Sequence, residues 1–494
     1  MKFRRSAWSQ HEAKSSHDIL NLFYIYLGFA VAILLILQVI YIFDHTSSNF
    51  NEGWNAYFAF LVQHDEPLYL SNNSLFINNY PPISFIVLSK IGSILGDNIV
   101  AGRIIALVSM VFVCIAIYMS SRAIHATTSQ AAVGATLFAL FNATYFRSYV
   151  AANDPQWLAH SSMMIGLLIL LSKKDIAHLS AIFASVFFIL GLFIKHNLIS
   201  LPLAVGFWFL LHNRNYLFTY IATSILLLIT VNLLFIQIYG FEYFEDIFGH
   251  ARVYSARRMA VQGLIITPFI LPFAGSFRML LQERGADHRF DLLLLFAALA
   301  VPLGILQRAG EGVDYNAHFE ALIALTIVLN IALSRAEPAG SSKERRSSLF
   351  LVTAPFAIPI LGIPYFFYDI VKNISSAPQI KMEWSALIDN VATINGPVAC
   401  DVQAICYWAR KRPEIDFFNV GQQLRLGYGS DPLVEKLNSR YYAAIVLKEA
   451  KYDILPVKQG KLIATIYRYY EYKRRLPAGY ILLTPIRLKF CRGM

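Results

Sequence analysis

The sequence predicts a polytopic α-helical membrane protein. It would have about eleven transmembrane helices, interfacial helices in its first outer loop and a small C-terminal α/β outer domain. Three observations carry this prediction. The 494 residues are 56% hydrophobic with a mean hydropathy of +0.50, too apolar for an ordinary soluble chain of this length. Apolar runs close to bilayer-spanning length recur as far as residue 368. Beyond residue 370 the apolar runs shorten and charges become frequent.

The first apolar run, 20–43, follows Lys2, Arg4, Arg5 and Lys14. It is too long for a signal-peptide core and no small-residue cleavage site follows it, so it reads as an uncleaved first span with the N-terminus cytoplasmic. Residues 44–102 are then outside. Later spans are expected at 103–121, 130–146, 158–172, 177–194, 198–212, 216–238, 262–280, 291–307, 317–334 and 349–368. Only Lys195-His196-Asn197 divides 177–194 from 198–212. The odd total puts the C-terminus outside. The inside loops hold Arg122, Lys173, Lys174, Arg214, Arg284, Arg289, Arg335, Lys343, Arg345 and Arg346, as the positive-inside rule requires.

Domain organisation follows from this count. Residues 1–369 form the membrane domain and 370–494 an extracytoplasmic α/β domain of roughly 120 residues, joined across the polar stretch Glu337–Ser348 and the last span. Strand-like runs at Gly396–Ala399, Tyr442–Leu447 and Tyr480–Leu483 alternate with helical ones at Ala404–Arg410 and Pro432–Ser439. The net charge of +11 belongs to loops facing anionic lipid. No basic patch interleaved with aromatics occurs in a soluble segment, which argues against nucleic acid. Of the four cysteines, Cys114 lies in an apolar run, and Cys400 and Cys406 either pair or stay free.

Chemistry concentrates in the predicted outer loops. In Asn51-Glu52-Gly53-Trp54-Asn55-Ala56-Tyr57, Asn51 is a good N-cap and Glu52 a first-turn carboxylate. Trp54, Tyr57, Phe58, Leu61 and Val62 then recur at helical spacing, and Pro81-Pro82 opens a second segment, Ile83–Leu95. Two helices of this kind can wall off a cavity at a membrane surface. In the second outer loop, Asp154 of Asn153-Asp154-Pro155-Gln156 either caps the following span or joins Glu52 in moving a proton. Lys195 and His196, between two spans, either contact a phosphate or sit in a tight turn. Arg257 and Arg258 lie in a charged loop, 239–260, and arginine forks match phosphate oxygens. Asp314 and His318 open a later span and face the same cavity or cap a helix. No ligand spacing argues for a metal, so no cofactor is expected.

Order and spacing together resemble the polytopic C-superfamily (GT-C) glycosyltransferases. The bacterial branch is the nearest: protein mannosyltransferases, aminoarabinose transferases and the galacturonic-acid transferases of lipopolysaccharide. The resemblance rests on Glu52-Gly53-Trp54-Asn55-Ala56-Tyr57, Asn79-Tyr80-Pro81-Pro82, Gly102-Arg103 opening the second span, Asn153-Asp154, Lys195, and the tail segment Cys400–Lys448. There are departures. Asn51 stands where the family often has the first of two acids, which leaves Asp44 as a second candidate base, and Tyr80 stands where aminoarabinose transferases have Lys.

The resemblance implies an inverting transferase that takes a sugar from a polyprenyl-phosphate donor at the outer face of a bacterial inner membrane. It would pass the sugar to a lipid, glycan or protein hydroxyl, with Glu52 as the base and Asp154 assisting. Lys195, Arg257 and Arg258 are then the expected phosphate contacts. A transporter of lipid-linked glycans and a non-catalytic envelope assembly protein are the alternatives. No matched pair of broken helices supports the first, and the second predicts that Glu52→Ala is silent.

Overall fold

The computed structural model describes residues 25–47, 49–70, 74–172, 177–250, 252–336, 342–429, 431–449 and 460–486. The N-terminal basic flank, Lys173 and Lys174, and the first residues of the polar stretch, 337–341, lie outside these.

Helices dominate because a backbone in lipid must satisfy its own polar groups. In chain order they begin with α1 (Ile25–Ile40), α2 (Phe50–Gln63), α3 (Ile83–Leu95), α4 (Asn98–Ala123), α5 (Thr128–Tyr145), α6 (Gln156–Leu171), α7 (His178–Ile194) and α8 (Ser200–His212). They continue with α9 (Arg214–Tyr239), α10 (Glu242–Phe248), α11 (Ala256–Ile270), α12 (Ala274–Gln282), α13 (His288–Gln307), α14 (Phe319–Ala336) and α15 (Ser342–Ala392). Six helical segments among the described residues are long and apolar enough to cross a membrane, and shorter apolar helices accompany them.

The caps explain the boundaries. Asp97 accepts from the backbone N–H groups of Ile99 and Val100 and starts α4. Thr127 and Gln130 form a capping box on α5. Asn213, Ser255 and Asp287 cap α9, α11 and α13. The narrow break at Lys195 is real: α7 stops at Ile194 with Lys195 extended, and α8 begins at Ser200.

Three expectations need correction. Asn49, not Asn51, caps α2; its side chain accepts from the Asn51 N–H. The last predicted span, 349–368, is part of a 51-residue helix, α15, which starts inside the polar stretch and runs straight through residue 370. The change of composition at 370 therefore marks no break in the backbone, and the sheet begins only at Val398.

The C-terminal part holds β1 (Val398–Cys400), α16 (Gln403–Trp408), α17 (Phe417–Leu426), α18 (Asp431–Asn438), β2 (Ala444–Lys448), α19 (Gly460–Tyr467), β3 (Tyr470–Leu476) and β4 (Tyr480–Pro485). The sheet order is β1-β2-β4-β3, with β1 parallel to β2 and the other pairs antiparallel. Side chains alternate between two cores, as the two-residue period of a strand requires. Val398, Cys400, Ala444, Val446, Tyr480 and Leu482 face a cluster with α2, α3 and the end of α15. Ala399, Ile445, Leu447, Ile481 and Leu483 face α17, α18 and α19. Burial on both faces makes β2 read as an unbroken apolar run. Cys400 and Cys406 form a disulfide, Cα to Cα 5.8 Å, which ties β1 to α16.

Candidate active site

The site grows from α2. Most of this helix is buried, including Glu52, which is 1% exposed. A buried carboxylate requires donors, and Glu52 has four. Arg103 of α4 donates through Nε to Oε1 at 2.7 Å and through Nη2 to Oε2 at 2.9 Å. The Asn153 N–H reaches Oε1 at 3.4 Å and the Ser47 hydroxyl Oε2 at 3.0 Å. Arg103 also donates to the carbonyls of Tyr41, Ile42, Asp44 and Thr46, so one guanidinium gathers the chain leaving α1 onto α2.

Gly102, beside Arg103, has its own role. A Cβ there would lie 1.8 Å from Asn153 Oδ1, so only glycine admits the Asn153 side chain. Asn153 then donates to the Glu52 carbonyl at 2.9 Å and accepts from Asn55 at 2.7 Å. The two acidic loops are cross-stitched. Asn153, next to Asp154, donates to Glu52, while Asn51, next to Glu52, donates to Asp154 at 2.9 Å.

Asp154 sits just before α6 and beside Lys195. Its Oδ1 accepts the Gln156 N–H at 2.9 Å where α6 begins, and it also accepts from Lys195 Nζ at 2.6 Å. Burial works against the Lys195 charge, but Asp154 and Tyr80 more than offset it and hold its pKa above the ordinary value. The ammonium sits 4.9 Å from the centroid of the Tyr80 ring, which itself packs edge-on against Trp54.

Two cavities open on this framework. The larger, about 810 Å³, is lined by Asn51, Trp54, Tyr80, Lys195, His196, His250, Arg252, Arg258, Arg308, Asp314 and, from the sheet domain, Asp401 and Asp416–Asn419. The smaller, about 390 Å³, is lined by apolar Leu37, Ile370, Ala377 and Ile380 together with Asp44, Glu52, Arg103, Arg147 and Lys381. Ser148 lines both.

Backbone pairing of two loops, 252–255 and 309–311, builds one wall of the larger cavity. Ser255 N–H donates to the Ala309 carbonyl at 3.0 Å, and Glu311 N–H to the Val253 carbonyl at 2.9 Å. This brings Arg258, Arg308 and Asp314 together; Arg308 pairs with Asp314 at 3.1 Å. Tyr149 also donates to Asp314 at 3.1 Å. Arg252 has no hydrogen-bond or ion-pair partner among the described residues. Burial, and then Arg252 and His196, push the His250 imidazole down to about 4, so it is neutral near pH 7.

Sequence reasoning placed most of these residues and misplaced some. Lys195, His196, Tyr80, Arg258 and Asp314 share the larger cavity wall, and Asp154 lies behind it through Lys195. Glu52 lies on the smaller cavity. Asp44, the second candidate base, lines the smaller cavity and pairs with Lys381 at 2.8 Å. Arg257 is exposed and lines neither cavity. One residue along α11 is 100° round the helix, so Arg257 points away where Arg258 points in. His318 is 4% exposed, packs over Gly304 and lines neither cavity. Arg252, Arg308, Asp401 and Asp416 were not singled out; no local pattern separates them from solvated charges. Among the described residues no group of three His, Cys, Asp or Glu side chains is disposed to hold a metal.

No family profile and no curated protein sequence matches the chain. Solved structures do. ArnT from Cupriavidus metallidurans, an aminoarabinose transferase, in the apo state, superposes with a TM-score of 0.62 at 13% identity over 93% of this chain and 98% of that one. The same protein bound to undecaprenyl phosphate gives 0.57 at 12% identity, over 94% of this chain and 98% of that one. An oligosaccharyltransferase from Archaeoglobus fulgidus, tethered to an acceptor peptide, gives 0.55 at 10% identity over 94% of this chain and 74% of that one. The chain therefore shares the fold of these transferases over most of its length, as its loop motifs led one to expect.

Proposed function

We propose that this integral membrane protein is an inverting glycosyltransferase. In this reading it moves a sugar from a polyprenyl-phosphate donor to a hydroxyl of a lipid, glycan or protein at the outer face of the membrane. The observation that carries the reading is the placement of Glu52 and the Asp154–Lys195 pair: cross-stitched to each other, they stand beside two cavities that share Ser148. The shared fold with a transferase solved with undecaprenyl phosphate adds to it.

The larger cavity suits the donor phosphate. The leaving phosphate gains charge as its bond to the sugar C1 breaks, and preorganised cations stabilise that gain by a few kcal/mol each. Arg252, free of partners among the described residues, is the first of these, with Lys195 and Arg258 beside it. The smaller cavity suits the acceptor, and its apolar lining fits a lipid-borne one.

Glu52 takes the proton from the acceptor hydroxyl as that oxygen attacks C1, and the electron pair of the C1–O bond leaves with the phosphate. Four donors already fill the lone pairs of Glu52. The Ser47 hydroxyl, which can turn its one proton to the Asn49 carbonyl at 2.9 Å instead, is a donor that an acceptor hydroxyl can replace without breaking the Arg103 pair. Asp154 keeps Lys195 charged and aimed, which makes it a positioning residue.

The test is transfer in membranes supplied with radiolabelled polyprenyl-phosphate sugar. Glu52→Gln should lower the rate roughly 100- to 10,000-fold, the usual value of a general base, and Asp154→Asn should lower it less. Undiminished labelling of acceptor by both variants would end the assignment.

A further inference from the structure

Two residues that line the larger cavity each carry a buried amide oxygen with no hydrogen-bond donor among the described residues. One is Oδ1 of Asn419, in the first turn of α17; the other is Oδ1 of Asn197, between α7 and α8. Asn419 is 5% exposed. Its neighbours fix which end of its amide is which. Nδ2 lies 2.6 Å from Asp416 Oδ2, and an amide oxygen facing a carboxylate at that distance would be repelled. Oδ1 is therefore the free end.

Asn197 is fixed just as firmly. Gln307 donates through Nε2 to the Asn197 backbone carbonyl at 2.9 Å, so Gln307 Oε1 must be the acceptor of Asn197 Nδ2 at 3.1 Å. Again the oxygen is left over. A buried carbonyl without a donor costs about 1–3 kcal/mol, and two on residues lining one cavity call for a common explanation.

We propose that the larger cavity carries, beside its cations, a subsite for a glycosyl ring that donates hydrogen bonds and bears no negative charge. Asn197 of the helical domain and Asn419 of the sheet domain are its two acceptors. The inference rests on reading this cavity as the transfer site. It goes further by naming the sugar class, a neutral or amino sugar rather than a uronic acid, and by giving the sheet domain a part in choosing it.

The chemistry of the wall supports that choice. Carbonyl oxygens accept from hydroxyl or amine groups and repel carboxylates. The sheet domain adds two carboxylates, Asp401 and Asp416, to the same wall. It also adds the Phe418 ring, an apolar surface of the kind a sugar ring can cover. Gly312, at φ +79°, lets that ring in: a Cβ there would lie 2.3 Å from it.

The test uses the full chain in detergent micelles, with methyl glucoside, methyl glucosaminide and methyl galacturonide as probes and binding read by ligand NMR. The glucoside or the glucosaminide should bind at least about ten-fold tighter than the galacturonide. Asn419→Leu and Asn197→Leu should each weaken that binding about ten-fold, the loss of one hydrogen bond left unmade. Undecaprenyl phosphate binding should stay nearly constant in both, which also reports that they fold.

Equal binding of the galacturonide, no binding of any probe, or undiminished binding in both variants would each overturn the proposal. The two readings fail separately. Glycoside binding without any transfer by the wild type removes the transferase and leaves the subsite. Transfer with unaltered glycoside binding in the variants does the reverse.

Discussion

Arg103 shows how a single residue organises the site. It lies in a transmembrane helix, 4% exposed, where an unpaired charge would be prohibitive. Its five N–H groups reach both Glu52 oxygens and four backbone carbonyls, with Nη1 sharing two hydrogens among three of them, so no part of the fork is idle. Breaking such a buried pair by removing one partner costs about 3–5 kcal/mol. Arg103→Met should therefore lower thermal stability in micelles by that order, and a loss below about 1 kcal/mol would show the pair to be incidental. The same coupling means that Glu52→Gln must be checked for folding before its activity is read.

Asp416 makes a second prediction at this scale. Burial pushes its carboxyl up to about 6, against the opposing hydrogen bonds from Asn419 and Trp54. A carboxyl raised on folding lends stability below its unfolded pKa, and that stability fades as pH rises through the folded value. Acidification from about pH 7 to about pH 4 should thus strengthen this corner by roughly 2 kcal/mol. Trp54 donates its indole N–H to Asp416 at 3.1 Å. The Trp54 indole proton should titrate with a midpoint near 6 and become insensitive to pH in Asp416→Asn; a flat profile in the wild type would contradict the buried charge.

Among the elements, α2 is the hinge between the two halves of the molecule. A Cβ on Gly53 would come within 2.0 Å of the Ala404 backbone nitrogen, so α16 rests directly on the α2 backbone. Around that contact, Trp408 donates to Asp97 at 2.9 Å, the Asn98 N–H donates to the Tyr407 hydroxyl at 2.9 Å, and the Asp416 N–H donates to the Leu75 carbonyl at 2.7 Å. Gly53→Val must push α16 away. It should expose the sheet domain to proteolysis and abolish sugar transfer while leaving the helical domain folded. A protease-resistant, active Gly53→Val protein would show that the contact is dispensable.

The elements also show what a sequence can reveal. Spans were legible because lipid imposes one long apolar pattern on each helix, and even the break at Lys195-His196-Asn197 could be seen. Glu52 and Asp154 stood out as carboxylates at helix starts in the loops, and Lys195 because a charge between two spans is costly. The edge strand β3 was not legible: it reads Tyr-Glu-Tyr-Lys-Arg-Arg-Leu, with exposed charges that guard a sheet edge and hide the strand pattern. Nor was the pairing of Glu52 with Arg103, 51 positions apart. Arg252 and Asp416 gain their significance only when the loops at 252–255 and 309–311 pair and the sheet domain closes over them.

At the scale of the whole molecule, the chain places its chemistry at one end of a helical bundle and covers it with the sheet domain. Cations with spare donors face one cavity, a carboxylate faces the other, and apolar helices surround both. This division suits a reaction whose donor leaves as an anion and whose acceptor must lose a proton. The most direct measurement is the release of polyprenyl phosphate from a radiolabelled polyprenyl-phosphate sugar by the purified chain, compared with Glu52→Gln and Arg252→Gln. The account predicts release that depends on an acceptor, cut at least about 100-fold in either variant with both still folded. Release at the wild-type rate from folded Glu52→Gln and Arg252→Gln proteins would contradict it.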